Sequence, residues 1–360
     1  MQVAIVTHIV SPYQAELFNT IAATKQLELK VVYLHRMSPE RLWTAKPPQH
    51  HAFYLDGESN SFAEVKAVVS QADLVVFNYY IERAARHLLK VRVASNKPWC
   101  FWGERPGYRN PGWLGRLFRQ WALSDLHVSK APIWGIGQFA VQGYQQEFGT
   151  QRRYCNLPYF SDLERFQQGN GSVKTDSERV FLFSGSLIHR KGVDILARAF
   201  MRLLQDYPNV RLKLMGGGEL HNTLRREFGS ARNKIDILGF KDWSELPTYY
   251  HSADVLCVPS RYDGWGLVVP EGLAAGLPVI ATDQMGAALE FVRTGENGWL
   301  IPAGDEQALY ETLCAAAALP KTQLSELSQN ASNSIREHSL QNGAKRFIDA
   351  ALAAHREWAG

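Results

Sequence analysis

Short runs of β-branched and aromatic residues alternate along this chain with segments whose apolar positions recur every three or four residues, the pattern of parallel strands covered by helices. In the first half the strand candidates are VAIVTHIV, LELKVVYLH, DLVVFNYY, PWCFWGE and DLHVS. Between the first two, residues 14–23 place Leu17, Phe18, Ile21 and Ala22 on one helical face. The polar, turn-rich QQGNGSVKTDSER then breaks all periodicity and reads as a linker over residues 166–179. Behind it the alternation resumes with VFLFSGS, VRLKLMGG, IDILGF, DVLCVPS and PVIATD, and residues 193–205 line up Val193, Leu196, Ala197, Phe200 and Leu204. The expected fold is α/β, with two Rossmann-like doubly wound domains, residues 1–165 and 180–343, facing across a cleft. Ligands of such sheets bind outside the carboxyl ends of the strands.

Length and composition agree with two cores: the chain has 360 residues, 46% of them apolar. No stretch of about 20 residues stays free of charge and turn formers, so no membrane span is expected. The opening MQVAIVTHIV lacks a basic start and a small-residue cleavage site, and reads as a strand instead of a leader. Cys100, Cys155, Cys257 and Cys314 are widely spaced with no C-x-x-C pair, which argues against zinc or a disulfide framework and fits a reduced cytoplasm. The net charge of +4 hides an asymmetry: residues 1–170 hold 19 Lys and Arg against 13 Asp and Glu, the remainder 20 against 22. The basic first half suits an anionic partner such as a membrane surface or a phosphorylated acceptor; a plain, modestly basic surface is the blander alternative.

The candidate chemistry lies in RYDGWGLVVPEGLAAGLPVIATDQMGA, residues 261–287. DVLCVPS before it reads as a buried strand, VVPEGLAAG as a helix closed by Gly276, and Pro278 as the start of the next strand. DGWG then falls in a strand-to-helix turn. There Gly264 and Gly266 let backbone N–H groups, with those of Trp265 and Leu267, approach a diphosphate. A sugar nucleotide carries hydroxyls on both sides of its diphosphate, and ionised carboxylates accept from hydroxyls. Asp263 would reach the hexose and Glu271 the ribose; Glu271 alone also reads as a first-turn acid facing the helix dipole. Upstream, Gly185 ends a strand and Ser186 follows it, while Arg190 and Lys191 precede a helix, where cations ordinarily oppose the dipole and an anion would give them a purpose. Gly216 and Gly217 in LMGGGE, and Gly239 and Phe240 in LGF, are weaker signals of the same kind.

Taken in order, SGSLIHRKGVDIL, LMGGGE, ILGF, SADVLCVPSRYDGWGLVVPEGLAAGLPVIATD and GENGWLIPAGD make this half resemble glycosyltransferase family 4, retaining enzymes of the GT-B fold related to the group 1 enzymes of bacterial polysaccharide and glycolipid assembly. The similarity covers about half the chain. It implies that Glu271 binds the nucleotide ribose and Asp263, where the family usually has Glu, the transferred sugar. It also implies that Lys191 contacts the diphosphate. The family's companion arginine falls on Ser186, with Arg190 as a possible substitute. The family's crossing C-terminal helix suggests that residues 344–360, with Phe347, Ile348, Ala351 and Leu352 on one face, pack back on the first domain.

The first half is read more coarsely. HIVSPYQAELFN resembles the opening of a subset of the family, which would set Ser11, Pro12, Tyr13 and Gln14 beside the cleft on the acceptor side. His8 is either a base or, as lone strand-end histidines more often are, structural. The family places a histidine near the sugar after the strand corresponding to PWCFWGERPG; here Glu104 is the nearest ionisable group, and Arg105 either binds an anionic acceptor or pairs with it. WLGRLFRQWAL spaces Trp113, Leu114, Leu117, Phe118 and Trp121 on one face beside Arg116 and Arg119. That is a helix for an anionic membrane carrying a lipid-linked acceptor, or a core helix, the reading preferred here.

The implied function is a retaining glycosyltransferase that moves a sugar from a nucleoside diphosphate to an acceptor hydroxyl, cytoplasmic or peripheral on the inner face of the membrane. Lys191, Arg190, Asp263 and Glu104 are its candidate catalytic residues. No cofactor is expected, and no D-x-D triplet suggests a metal on the diphosphate. Nucleic acid is not an expected partner. The alternatives are a sugar-nucleotide epimerase of the same plan and a non-catalytic sugar-nucleotide-binding protein.

Overall fold

A computed structural model describes residues 1–36, 47–56, 60–106, 112–168 and 178–358. The chain divides into two compact units, Met1–Asp162 with Ser339–Gly360, and Leu163–His338. Among the described residues the first unit holds seven parallel strands: β1 (Gln2–Ile9), β2 (Glu28–His35), β3 (His51–Tyr54), β4 (Leu74–Phe77), β5 (Trp99–Gly103), β6 (Ile133–Gly135) and β7 (Tyr154–Asn156). Their order is 3-2-1-4-5-6-7. The second holds six: β8 (Arg179–Ser184), β9 (Val210–Met215), β10 (Ile235–Gly239), β11 (Val255–Val258), β12 (Val279–Thr282) and β13 (Gly298–Ile301), in the order 10-9-8-11-12-13. In both, the order reverses beside the first strand, the switch point at which open parallel sheets bind ligands.

Burial explains the apolar runs. Val3 to Val6, Leu74 to Val76 and Val255 to Cys257 are fully enclosed, as strands covered on both faces must be. Helix Val193–Asp206 buries Val193, Leu196, Ala197 and Phe200 as the spacing predicts, but Leu203 goes inward in preference to Leu204.

Several expectations need correction. DLHVS is not a strand: residues Ser124–Val128 form a short helix, with Leu126 buried and Val128 85% exposed, and the next strand is β6, whose Ile133 and Trp134 are both buried. Most of the expected linker, residues 169–177, lies outside the described residues. Its first residues are not linker, because Phe166 sits in helix Glu164–Gln167, fully buried with its ring 5.1 Å from that of Tyr250. The unit boundary accordingly falls before Leu163.

The core-helix reading of residues 113–123 is also overturned. Helix Gly112–Ala122 buries only Gly115 and Ala122, leaving Trp113 71% and Trp121 63% exposed along with Leu114, Leu117 and Phe118. Arg119 does not share that face with solvent, since its Nε pairs with Glu147 at 2.9 Å. Among the described residues no helix is long and apolar enough to cross a membrane.

The last helix, Leu340–Arg356, belongs to the first unit. Gly343 is required where it crosses Phe160, since a Cβ there would meet that ring at 2.5 Å. Phe347 inserts between Trp102 and Trp134, with ring centroids 6.0 and 5.5 Å away. Leu352, expected on the inner face, is exposed. Phe347→Ala leaves a cavity between two tryptophans and should lower the unfolding free energy by about 3–5 kcal/mol in a urea titration; a loss below about 1 kcal/mol would show that this helix is not docked through Phe347.

Candidate active site

Three neighbouring strands of the second unit run out into glycine. β8 leads to Gly185, β9 to Gly216 and Gly217, and β10 ends on Gly239. Their backbones interlock: the N–H of Gly185 donates to Met215, that of Gly216 to Gly239 and that of Leu187 to Gly217, each at 2.9 Å. A Cβ on Gly216 would stand 1.9 Å from the Gly185 carbonyl oxygen, so side chains are excluded from this seam. Ser186 and Phe240 beyond it are exposed.

Past Ser186 a 3-10 turn, His189–Lys191, carries the two cations, and Gly192 in the left-handed region begins helix Val193–Asp206. That conformation, φ +70°, admits no Cβ, which would fall 1.9 Å from the Pro259 carbonyl oxygen. The cation turn is thereby pressed against the loop leaving β11. Arg261 fastens the two. Its N–H donates to the Arg190 carbonyl at 2.9 Å. Its guanidinium forks onto Asp194, Nη1 to Oδ1 at 2.7 Å and Nη2 to Oδ2 at 2.8 Å. Burial alone would raise the Asp194 carboxyl, but the Arg261 bonds outweigh it and hold the group below its usual range.

The outcome is a cation and acid cluster. Lys191 Nζ donates to Asp263 Oδ2, while Arg190 Nη1 lies 4.0 Å from Asp263 Oδ1 and donates to the Tyr262 carbonyl at 3.1 Å. The backbone of Asp263 is pinned by the segment after β12: its N–H donates to Gln284 at 3.0 Å, and its carbonyl accepts from Gly286 at 3.3 Å. All three side chains stay partly exposed, so the cluster is not sealed from solvent.

Glu271 stands in the first turn of helix Val268–Ala274, only 2% exposed, and its Oε2 accepts the Tyr250 hydroxyl at 2.9 Å. Burial, reinforced by the neighbouring carboxylate, pushes the Tyr250 phenol well above its ordinary value, so it remains a donor to the acid. This is an oriented internal carboxylate and not a solvated first-turn acid. The Trp265 indole is 1% exposed and packs against Phe291 and His338, so in the Gly264 to Leu267 turn Trp265 offers its backbone alone.

The remaining candidates belong to the first unit. Ser11 Oγ donates to Gln14 Oε1 at 2.8 Å, and Gln14 Nε2 and Thr7 Oγ1 both donate to Asn78 Oδ1 at 3.0 Å. Ser11 and Gln14 are buried by this network, whereas Pro12 and Tyr13 are half-exposed, with the Tyr13 ring 5.0 Å from Tyr159. Glu104 is exposed just past β5, its carbonyl accepting from the Tyr144 hydroxyl at 2.7 Å. Arg105 lies 4.0 Å over the Phe139 ring. The structure thus gathers Arg190, Lys191 and Asp263, keeps Glu271 in the same unit, and places Glu104, Arg105 and residues 11–14 in the other. Sequence reasoning missed Tyr250, Asp194 and Arg261. The only signal for the last two was their position next to the cations and to Asp263.

Residues 165–336 match the family model described as glycosyl transferases group 1. An uncharacterized glycosyltransferase of Methanocaldococcus jannaschii is 35% identical over 131 residues, 35% of this chain and 33% of the relative. A GDP-mannose-dependent monoacylated alpha-(1-6)-phosphatidylinositol monomannoside mannosyltransferase of Corynebacterium glutamicum is 28% identical over 194 residues, 49% of this chain and 50% of the relative. The matches therefore span a third to a half of the length of these curated relatives. Among solved structures, that of Anabaena Alr3699/HepE in complex with UDP and glucose superposes with a TM-score of 0.77 at 17% identity, covering 98% of this chain and all of that one. With two parallel Rossmann-like sheets and these matches, residues 165–336 are a glycosyl transferases group 1 domain, in a chain whose fold is that of the GT-B glycosyltransferases.

Proposed function

We propose that the protein is a retaining glycosyltransferase that moves a sugar from a nucleoside diphosphate to an acceptor hydroxyl. The observation that carries this reading is the Arg190, Lys191 and Asp263 cluster set beside glycine-terminated strand ends. The diphosphate lies along the Gly185, Gly216 and Gly264 to Leu267 backbone, with Gly217, Gly239 and Phe240 bordering the nucleotide. Glu271 holds the ribose hydroxyls and Asp263 the transferred sugar. As the glycosidic bond breaks, negative charge grows on the departing phosphate, and Arg190 and Lys191, drawn to the diphosphate when it binds, stabilise that charge. The acceptor oxygen attacks from the face the phosphate leaves, and that phosphate takes the acceptor proton. No cofactor and no metal on the diphosphate enters this scheme. Glu104 stands where the family has a histidine near the sugar, with Arg105 and residues 11–14 on the acceptor side.

The exposed Trp113, Leu114, Leu117, Phe118 and Trp121 support an acceptor carried on an anionic membrane, contacted peripherally on its cytoplasmic face. Glycolipid or surface polysaccharide assembly is the setting this favours. An epimerase would act on the donor without an acceptor, and product analysis separates the two.

Lys191→Ala should lower kcat by about 10²- to 10³-fold with a smaller change in donor affinity. Glu271→Ala should instead weaken donor binding by roughly tenfold or more. Steady-state kinetics and calorimetry with UDP-, GDP- and dTDP-sugars check both, and wild-type behaviour in the two variants would remove the proposal. In flotation with vesicles containing anionic phospholipid, the protein should float, and Trp113→Ser with Trp121→Ser should abolish flotation; equal behaviour with and without such lipid would rule out the membrane contact.

A further inference from the structure

At the carboxyl edge of the first sheet three side chains converge that the scheme above does not use. His8 lies near the end of β1 and His35 is the last residue of β2, its neighbour in the sheet. Glu82 precedes helix Arg83–Ala94 in the N-cap position, yet its carboxylate makes no capping bond there. It reaches the histidines instead: Oε1 is 3.1 Å from His8 Nε2 and Oε2 is 2.9 Å from His35 Nε2. The three ligand atoms lie within 4.8 Å of one another. The His8 ring is stacked on Tyr79 at 4.4 Å and 13°, and meets His35 edge-on at 5.5 Å and 89°. These contacts set the two imidazole planes at right angles with both Nε2 atoms turned to one carboxylate.

We propose that His8, His35 and Glu82 form a binding site for a divalent cation of the zinc class. Two imidazole nitrogens and one carboxylate oxygen are a donor set of intermediate softness, which favours zinc, cobalt or nickel over magnesium and calcium. Around a tetrahedral zinc with bonds of about 2.0–2.1 Å, ligand atoms stand about 3.3 Å apart, so shifts on the order of 1 Å close this trio on the ion. Coordination uses the Nε2 lone pairs, and the ring protons that now point at Glu82 sit on Nδ1 instead. All three side chains are partly exposed, which leaves at least one position for water or an oxygen of a small ligand, the arrangement of an open site and not of a closed structural one. The bland alternative is a carboxylate accepting from two histidines with no ion between them. This inference does not depend on the transfer reaction, because the trio lies in the first unit and the donor residues in the second.

The test is titration of chelator-treated, dialysed full-length protein with Co²⁺ and Zn²⁺ alone. Wild type should take up one equivalent of Co²⁺ with the intense visible bands of four- or five-coordinate cobalt, lose them to Zn²⁺, and unfold at a higher temperature with Zn²⁺ present. His8→Ala and His35→Ala should each weaken Zn²⁺ binding by at least about a hundredfold, while His355→Ala, on the exposed side of the last helix, should leave it unchanged. Glu82→Gln, which removes a ligand without removing a capping bond, should also lose the bands, and it keeps the test valid should a histidine variant fold poorly. No uptake by wild type, only the faint absorption of six-coordinate cobalt, or bands that persist in the variants would each overturn the proposal.

Discussion

The bidentate pair between Arg261 and Asp194 is the contact on which the geometry of the second unit turns. Lys191 and Asp263 sit 72 residues apart, on loops leaving different strands, and side chains of that kind would swing freely in water. Arg261 removes that freedom from both sides, because it is bonded to the cation turn through its own backbone and to the helix after the turn through its guanidinium. A planar fork on a carboxylate fixes direction as well as distance, which a lysine in its place would not do. Gly192 is the other half of the device, since any side chain there would push the turn off the β11 loop. The cost of holding an ion pair partly out of water is offset by this scaffold of hydrogen bonds.

The same economy governs the acids. Asp263 is exposed enough to exchange partners, and in the proposed reaction an incoming diphosphate draws Lys191 toward itself and leaves Asp263 to accept sugar hydroxyls. Glu271 is enclosed and tied to Tyr250, so it offers one fixed direction in place of a mobile charge. Two carboxylates eight positions apart therefore behave differently, and the difference comes from burial and partners and not from residue type.

Much of the second unit was legible in the chain because its signals are local. Strands such as VFLFSGS and PVIATD are short apolar runs closed by glycine or aspartate, and the helix after Gly192 shows its inner face by spacing alone. What escaped was non-local or ambiguous at short range. The Arg261 to Asp194 contact joins residues 67 apart, and Tyr250 acquires its role only when the helix carrying it packs on Glu271. DLHVS has the composition of a strand yet forms a helix, because Ile133 and Trp134 fill the sheet position next to β5. The helix at residues 112–122 carries a single apolar stripe, and sequence has no means of telling whether protein or membrane covers such a stripe. Ser11 and Gln14 read in the chain as polar groups at a ligand site, but spacing gave no sign of the bonds from Ser11 to Gln14 and from Gln14 to Asn78, which also accepts from Thr7 in β1 and donates to the Trp102 carbonyl in β5.

In the proposed reaction the cation turn at residues 189–191 and the glycine ends of the second sheet hold a diphosphate between two acids. A crystal structure with a nucleoside diphosphate sugar decides this. It should show phosphate oxygens within hydrogen-bond distance of Lys191, Arg190 and the Gly264 to Leu267 backbone, the ribose at Glu271 and the sugar at Asp263. Density for the compound elsewhere on the molecule, or none at saturating concentration, would contradict it.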